Sequence, residues 1–325
     1  MDVVKNRATI EILRNNARRI PFFWKFYWLY WRLRSWLESK RTYSLDRKII
    51  EFGHYTEPNL KTPTSQLCTA GQFHEKMYLH WCKALDSPPR FMRKQWEYVY
   101  IMQVLSQLGY LNENTLGLGF GCGKEPLAGI FAKKGCHIIA TDLNQKEAMK
   151  RGWVETMQHS SDLDELYLSC NKVIDKKTFT ERVTFQNVDM NAIPANLTGF
   201  DFVWSACAFE HLGSLEHGIA FVKNAMKCIK PGGVAVHTTE FNLSSNEDTF
   251  ETEGCSVYRK KDIDRLVHEL EAEGYEVSQL NYHTGDLNVD KYIDAPPYGF
   301  SPHLKLLLES YVITSIGLII HRPAD

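Results

Sequence analysis

The 325-residue chain is 44% hydrophobic and 24% charged, the balance of a soluble globular protein, and is long enough for one large domain plus an extension or for two modest domains. The formal net charge of −1 hides an asymmetry: residues 1–48 hold twelve Lys and Arg against four acids, so this segment either meets something anionic or forms a solvated basic helix. Eight cysteines without a C-x-x-C pair argue against a disulfide framework or a cysteine zinc site, and fit a reducing, cytoplasmic setting.

In chain order, the first twenty residues are basic but hold no apolar run with a small-residue cleavage site, so no secretory signal is expected. Then comes "PFFWKFYWLYWRLRSWLES", residues 21–39, with nine aromatic residues between Phe22 and Trp36. It is too short and too charged to span a bilayer, which needs roughly 20 apolar residues. Its composition suits an interfacial helix touching a membrane from the cytoplasmic side, and equally a helix packed on the catalytic domain or on a second copy in a homodimer. Residues 50–90 read as loop-rich with one short helix. The stretch 90–111 has apolar residues at helical spacing and ends near Gly109. From Thr115 onward seven apolar runs alternate with helical segments near 126–134, 145–158, 215–229 and 260–273. Such alternation predicts a doubly wound α/β sheet over 90–325, preceded by a helical arm over 1–89.

The first run, "TLGLGFGCGKEPL", has glycines at 117, 119, 121 and 123. A glycine cluster marks a backbone that something approaches closely. The spacing is not the G-x-G-x-x-G of a pyrophosphate cradle, and Glu125 beside the turn would repel phosphate but attract a cation. The next strand, "HIIATDLN", ends in Asp142, nineteen residues after Gly123, where an acid can accept hydrogen bonds from ribose hydroxyls. Together these features predict a nucleoside that carries a positive charge.

The order "GLGFGCG", "ATDLN", "NVDMNAIP", "FDFVWSACAFEHLG" and "IKPGGVAVHTTEF" resembles the class I S-adenosylmethionine-dependent methyltransferases over about residues 90–325. The resemblance implies a Rossmann-like, seven-stranded sheet whose last strand is antiparallel, with S-adenosylmethionine as cofactor. It implies that Gly119, Gly121 and Gly123 face the methionine part, that Asp142 and Leu143 hold the ribose, and that Asp189 and Met190 hold the adenine end. Ser205 to Ala208 would line the methyl site. One departure stands out: Gly117 occupies the place of an acid common in the family, so the ammonium contact is expected to move to Glu125. The flanking "SQLCTAGQF" and "PRFMRKQWEYVYI" resemble a bacterial subgroup associated with polysaccharide and glycolipid gene clusters, which points to a glycan or small-molecule acceptor.

Methyl transfer is an in-line displacement, and a hydroxyl nucleophile also needs a base to take its proton. The side chains at the carboxyl ends of the fourth and fifth predicted strands are Glu210 and His211, then His237 and Glu240, and these are the catalytic candidates. His237, in the alternating "VAVHTTEF", also reads as a hydrogen-bonded core residue. A metal site like the E-x-x-E-H of small-RNA 2′-O-methyltransferases has Cys207 in place of its first glutamate, so no metal is expected. Tyr292, Asp294, Tyr298 and His303, in the long connection before the last strand, suit contact with a sugar. Nothing resembles a nucleic-acid-reading module. Two further readings are a non-catalytic cofactor-binding scaffold and an NAD-dependent dehydrogenase, the latter disfavoured by the glycine spacing.

Overall fold

The computed structural model describes residues 49–154, 158–299 and 301–325. The aromatic stretch at 21–39, with the membrane and dimer contacts expected of it, lies outside the described residues.

One sheet organises the chain, with strands in the order β4 (Val183–Asn187), β3 (His137–Asp142), β2 (Leu116–Gly119), β5 (Phe200–Ala206), β6 (Ile229–Asn242), β11 (Tyr311–His321), β1 (Ser65–Leu67) and β8 (Leu280–Asn281). β2 (Leu116–Gly119), β3 (His137–Asp142), β4 (Val183–Asn187), β5 (Phe200–Ala206) and β6 (Ile229–Asn242) are mutually parallel. β11 (Tyr311–His321) closes against β6 in antiparallel register, from Ile313 opposite Asn242 to His321 opposite Val234. β10 (Lys305–Leu308) forms a hairpin with β11. The expected doubly wound sheet with an antiparallel last strand is therefore what forms, although short added strands bring the total among the described residues to eleven. Strand order reverses at β2, so the carboxyl ends of β2 and β5 open onto a crevice suited to a ligand.

The helices follow their local sequence. α1 (Lys76–Ala84) and α2 (Arg93–Gln107) precede the parallel strands; α3 (Leu127–Lys133) and α4 (Gln145–Lys150) follow β2 and β3. α5 (Leu163–Cys170) and α6 (Lys176–Arg182) were not expected, yet Asp162 and Asp175 cap them by accepting from Glu165 N and Thr178 N. α7 (Leu215–Met226), capped by Ser214, and α8 (Lys260–Ala272) complete the set. The helix expected over 145–158 stops at Lys150 because Gly152 takes φ +77°, which ends helices readily.

The division expected near residue 90 meets the structure only from residue 49 onward, and there the chain joins the sheet. β1 (Ser65–Leu67) pairs with β11 through Gln66 opposite Gly317, and with β8 (Leu280–Asn281). Trp81 and Tyr78 of α1 are buried in the same core cluster as Trp96 and Tyr100 of α2. Burying each such ring contributes roughly 1.5–3 kcal/mol of stabilisation, so residues 49–89 pack as part of the same body as the sheet.

Candidate active site at the carboxyl edge of the sheet

The glycine run divides into two parts with different duties. Gly117 and Gly119 lie within β2, where a side chain has no room: a Cβ on Gly117 would stand 2.3 Å from the Phe202 ring, and one on Gly119 2.3 Å from Trp204. The missing acid at position 117 thus has a packing cause, since Phe202 fills its place. Gly121 and Gly123 form the turn itself, with φ +58° and +49°, a region L side chains avoid. A Cβ on Gly121 would meet Ala208 Cβ at 2.8 Å and Met190 Sδ at 3.2 Å, so only glycine leaves the floor of the crevice open.

Asp142, at the end of β3, locks that turn. Its Oδ2 accepts from Gly123 N (3.0 Å) and Ser160 N (3.2 Å), and its Oδ1 from Leu143 N (2.8 Å). Three of the roughly four acceptor positions of a carboxylate are filled, and the remainder faces the cavity. Asp142, Leu143, Asp189, Met190 and Gly121 all line it. Gly119, Gly123, Glu125 and Ser205 are not among its walls. Cys207 and Ala208 are, as are Arg151, Trp153 and His159, which no motif signalled. His159 Nε2 lies 2.6 Å from Leu143 O.

Strand alternation explains why Ser205 is not at the site. Phe202, Trp204 and Ala206 share the face toward α2, while Val203 packs with the α7 side; with period two, Ser205 joins Val203. It stands opposite His237, and its hydroxyl lies 2.8 Å from His237 Nδ1. Both are fully buried, against Phe209 and Phe221 in the case of His237. Burial lowers the His237 imidazole to about 3. His237 is therefore a core residue and leaves the list of catalytic candidates. Because the folded state holds it neutral while the unfolded imidazole protonates below about 6.5, stability should fall as pH drops from 6.5 toward 3. Melting temperatures followed over that window should decline less steeply in His237→Gln.

Three carboxylates and two cations gather where α2 meets the ends of β5 and β6. Arg93 pairs with Glu240, and also with Glu97 at 3.4 Å; Lys94 Nζ reaches Glu97 Oε2 at 3.0 Å and donates to Ala206 O at 2.8 Å. Ser315 Oγ donates to Glu97 Oε1 at 2.6 Å. Burial alone would raise Glu97, but Lys94 and Arg93 outweigh it and hold the carboxyl below its ordinary value. Glu240, expected as a catalytic group, is thus tied up in an ion pair. Glu210 accepts from Thr239 Oγ1 at 3.1 Å, while its other oxygen, Oε1, is buried and finds no hydrogen-bond partner among the described residues. Burial raises its pKa, with the nearby Glu240 charge adding to the effect. Glu125 lies on the β2 side, its Oε1 accepting from Trp204 Nε1 at 2.7 Å. Burial pushes its carboxyl up to about 8. His211 is on the cavity wall, with Nδ1 2.7 Å from Gly254 O and its ring edge-on to Trp153 at 4.7 Å. Among the described residues, no three His, Cys, Asp or Glu side chains converge as metal ligands.

A family model described as a methyltransferase domain matches residues 91–279, more than half of the chain. The chain belongs to the methyltransferase-domain family. Solved structures that resemble this methyltransferase include magnesium protoporphyrin IX methyltransferase from Synechocystis PCC 6803 with bound S-adenosylhomocysteine, at 12% identity and TM-score 0.43 over 77% of this chain and 96% of that one. The cyclase SpnF overlaps at 13% identity and TM-score 0.47, over 81% and 98% of the two chains. A methyltransferase from Aquifex aeolicus does so at 17% and 0.39, over 75% and 97%. No curated protein matches the sequence.

The residues present fit S-adenosylmethionine, the cofactor that the motif order implies, because the floor at Gly121 is one a Cβ would fill and Asp142 lines the same cavity. Asp142→Ala in this methyltransferase should weaken S-adenosylmethionine binding by about 10–100-fold, the value of one or two charge-assisted hydrogen bonds of about 1.5–3 kcal/mol. Calorimetric titration measures it, and an unchanged dissociation constant would remove Asp142 from the site.

Proposed function

We propose that the enzyme O-methylates a hydroxyl of a sugar or a similarly polyhydroxylated acceptor. The observation that carries this reading is the unpartnered Glu210 Oε1, three residues beyond the cavity-lining Cys207, with the neighbouring Arg93 Nε equally buried and unpartnered. A hydroxyl both donates and accepts, so it complements an open carboxylate oxygen and an open guanidinium N–H. The loop that pairs with the start of α2 through Arg93 N and His303 O supports the same class: Tyr298 is 44% exposed, its OH donating to Leu307 O (2.9 Å), and its ring meets His303 edge-on at 5.7 Å. His303 Nδ1 is in turn fixed by Asp294 Oδ2 at 2.6 Å. A held aromatic ring beside an oriented imidazole suits a sugar face and its hydroxyls.

In this reading Asp142 and Leu143 hold the cofactor's ribose and Asp189 and Met190 its adenine end. When bound, the cofactor would supply a methyl group on a sulfonium, whose bonding electrons stay on sulfur. Glu210 Oε1 takes the hydroxyl proton, and α2 with the buried ring of Phe209 keeps water from the acid cluster. The test is incubation of the purified chain with tritium-methyl S-adenosylmethionine and a panel of glycosides, with amine and thiol acceptors alongside. Alkali-stable label on a glycoside supports the proposal; label on amines or thiols alone overturns it.

A further inference from the structure

One residue on the wall of the cofactor cavity holds a backbone conformation that its side chain disfavours. Cys207 takes φ +49° just past the end of β5, in the left-handed region where a Cβ crowds the following carbonyl. Such an outlier persists only where its surroundings over-determine it, and here they grip both sides of one peptide unit. From β6, Thr238 accepts the Cys207 N–H with its carbonyl (3.0 Å) and its hydroxyl oxygen (3.1 Å). From α2, Lys94 Nζ donates at 2.8 Å to Ala206 O, the carbonyl of that same peptide, 112 residues along the chain. Lys94 is itself held at 3.0 Å by Glu97 Oε2, while Glu97 Oε1 accepts from Ser315. Beyond the turn the chain runs to Ala208, whose Cβ is the atom that a side chain on Gly121 would strike. Ordering a lysine on a neutral carbonyl gives up side-chain freedom. The Lys94 side chain is also 44% exposed, so water could replace it at little cost to the fold.

We propose that Lys94 is a positioning residue for cofactor binding. It fixes the Ala206–Cys207 peptide plane, which holds the left-handed turn, which sets Cys207 and Ala208 against Gly121. Rotation about the Cys207 N–Cα bond is what φ measures, so a freed peptide plane relaxes toward negative φ and displaces Ala208. The floor kept open at Gly121 then loses its facing wall. Lys94 is not itself on the cavity wall, so its effect passes through the turn. The proposal concerns the shape of the cavity and does not rest on which atom accepts the methyl group.

The test is calorimetric titration of the full chain with S-adenosylhomocysteine, paired with thermal melts of the unliganded protein. Lys94→Met should weaken binding about tenfold, the value of a charge-assisted hydrogen bond, while lowering the unliganded Tm by no more than about 5 °C. Adding Cys207→Gly to that variant should regain most of the lost affinity, because glycine adopts the left-handed turn without needing the grip. Cys207→Val, which puts a β-branched residue at positive φ, should weaken binding even with Lys94 in place. An unchanged dissociation constant in Lys94→Met would overturn the proposal. So would an equal loss in Lys94→Met and the double variant, which would assign Lys94 to the cofactor directly. If Lys94→Met does not fold, unchanged binding in Cys207→Val overturns it instead.

Discussion

A Glu210→Gln enzyme is expected to retain its fold and still bind S-adenosylmethionine, but to methylate a hydroxyl acceptor with kcat lowered about 10²–10⁴-fold, the usual contribution of a positioned base. Gln preserves the size of the side chain and can still accept from Thr239 Oγ1, the hydrogen bond that fixes the group at 3.1 Å. What it loses is the ability to take a proton at the open position. An acceptor that enters already deprotonated, such as a thiolate, should be affected far less. Steady-state kinetics with both acceptor types decide the matter, and a kcat within threefold of wild type on the hydroxyl would assign the proton to another group.

Glu97→Ala should cost about 3–5 kcal/mol of stability, the range for removing one member of a buried ion pair. Arg93 and Lys94 would keep their charges but lose the carboxylate they share, and Ser315 would lose its acceptor. Glu97→Gln should lose less, because an amide oxygen can still accept from Ser315. Glu97 is held below its ordinary pKa when folded, so its contribution is full above about pH 4.5 and disappears as pH falls through the folded value. Urea midpoints at pH 7 and pH 4 measure both claims: the gap between wild type and Glu97→Gln should narrow on acidification, and a gap under about 1 kcal/mol at pH 7 would mean that the network is dispensable.

The parts of this site legible in the sequence are those that depend on a few consecutive residues. Gly121 is where a backbone turn needs positive φ, and Asp142 ends a strand whose neighbour is that turn, so spacing alone brings them together. Ser205 was misplaced because the motif around it says which strand end it occupies but not which face. Its alternation with Trp204 and its pairing with His237 depend on the register of β5 against β6. Arg93, Lys94 and Glu97 were read only as part of a helix. Their signal was present, as three charges on the one stripe of "RKQWEYVYIMQVL" that has to face the core, but their partners Glu240 and Ser315 lie 147 and 218 residues further along. β1 was missed for a similar reason: three residues make no periodic pattern, and its partner β11 lies some 250 residues away.

That short strand also bears on how the protein can be dissected. β1 covers the middle of β11 at Ile316 and Gly317, between the hairpin with β10 and the pairing of Ile320 with Val277. A chain cut to begin at the boundary of the family match would lose this cover. The N–H and C=O groups of a long, apolar edge would then be open to a second chain. Such a fragment should therefore self-associate through β11, and the forty residues before the match would act on the enzyme as a built-in guard against aggregation.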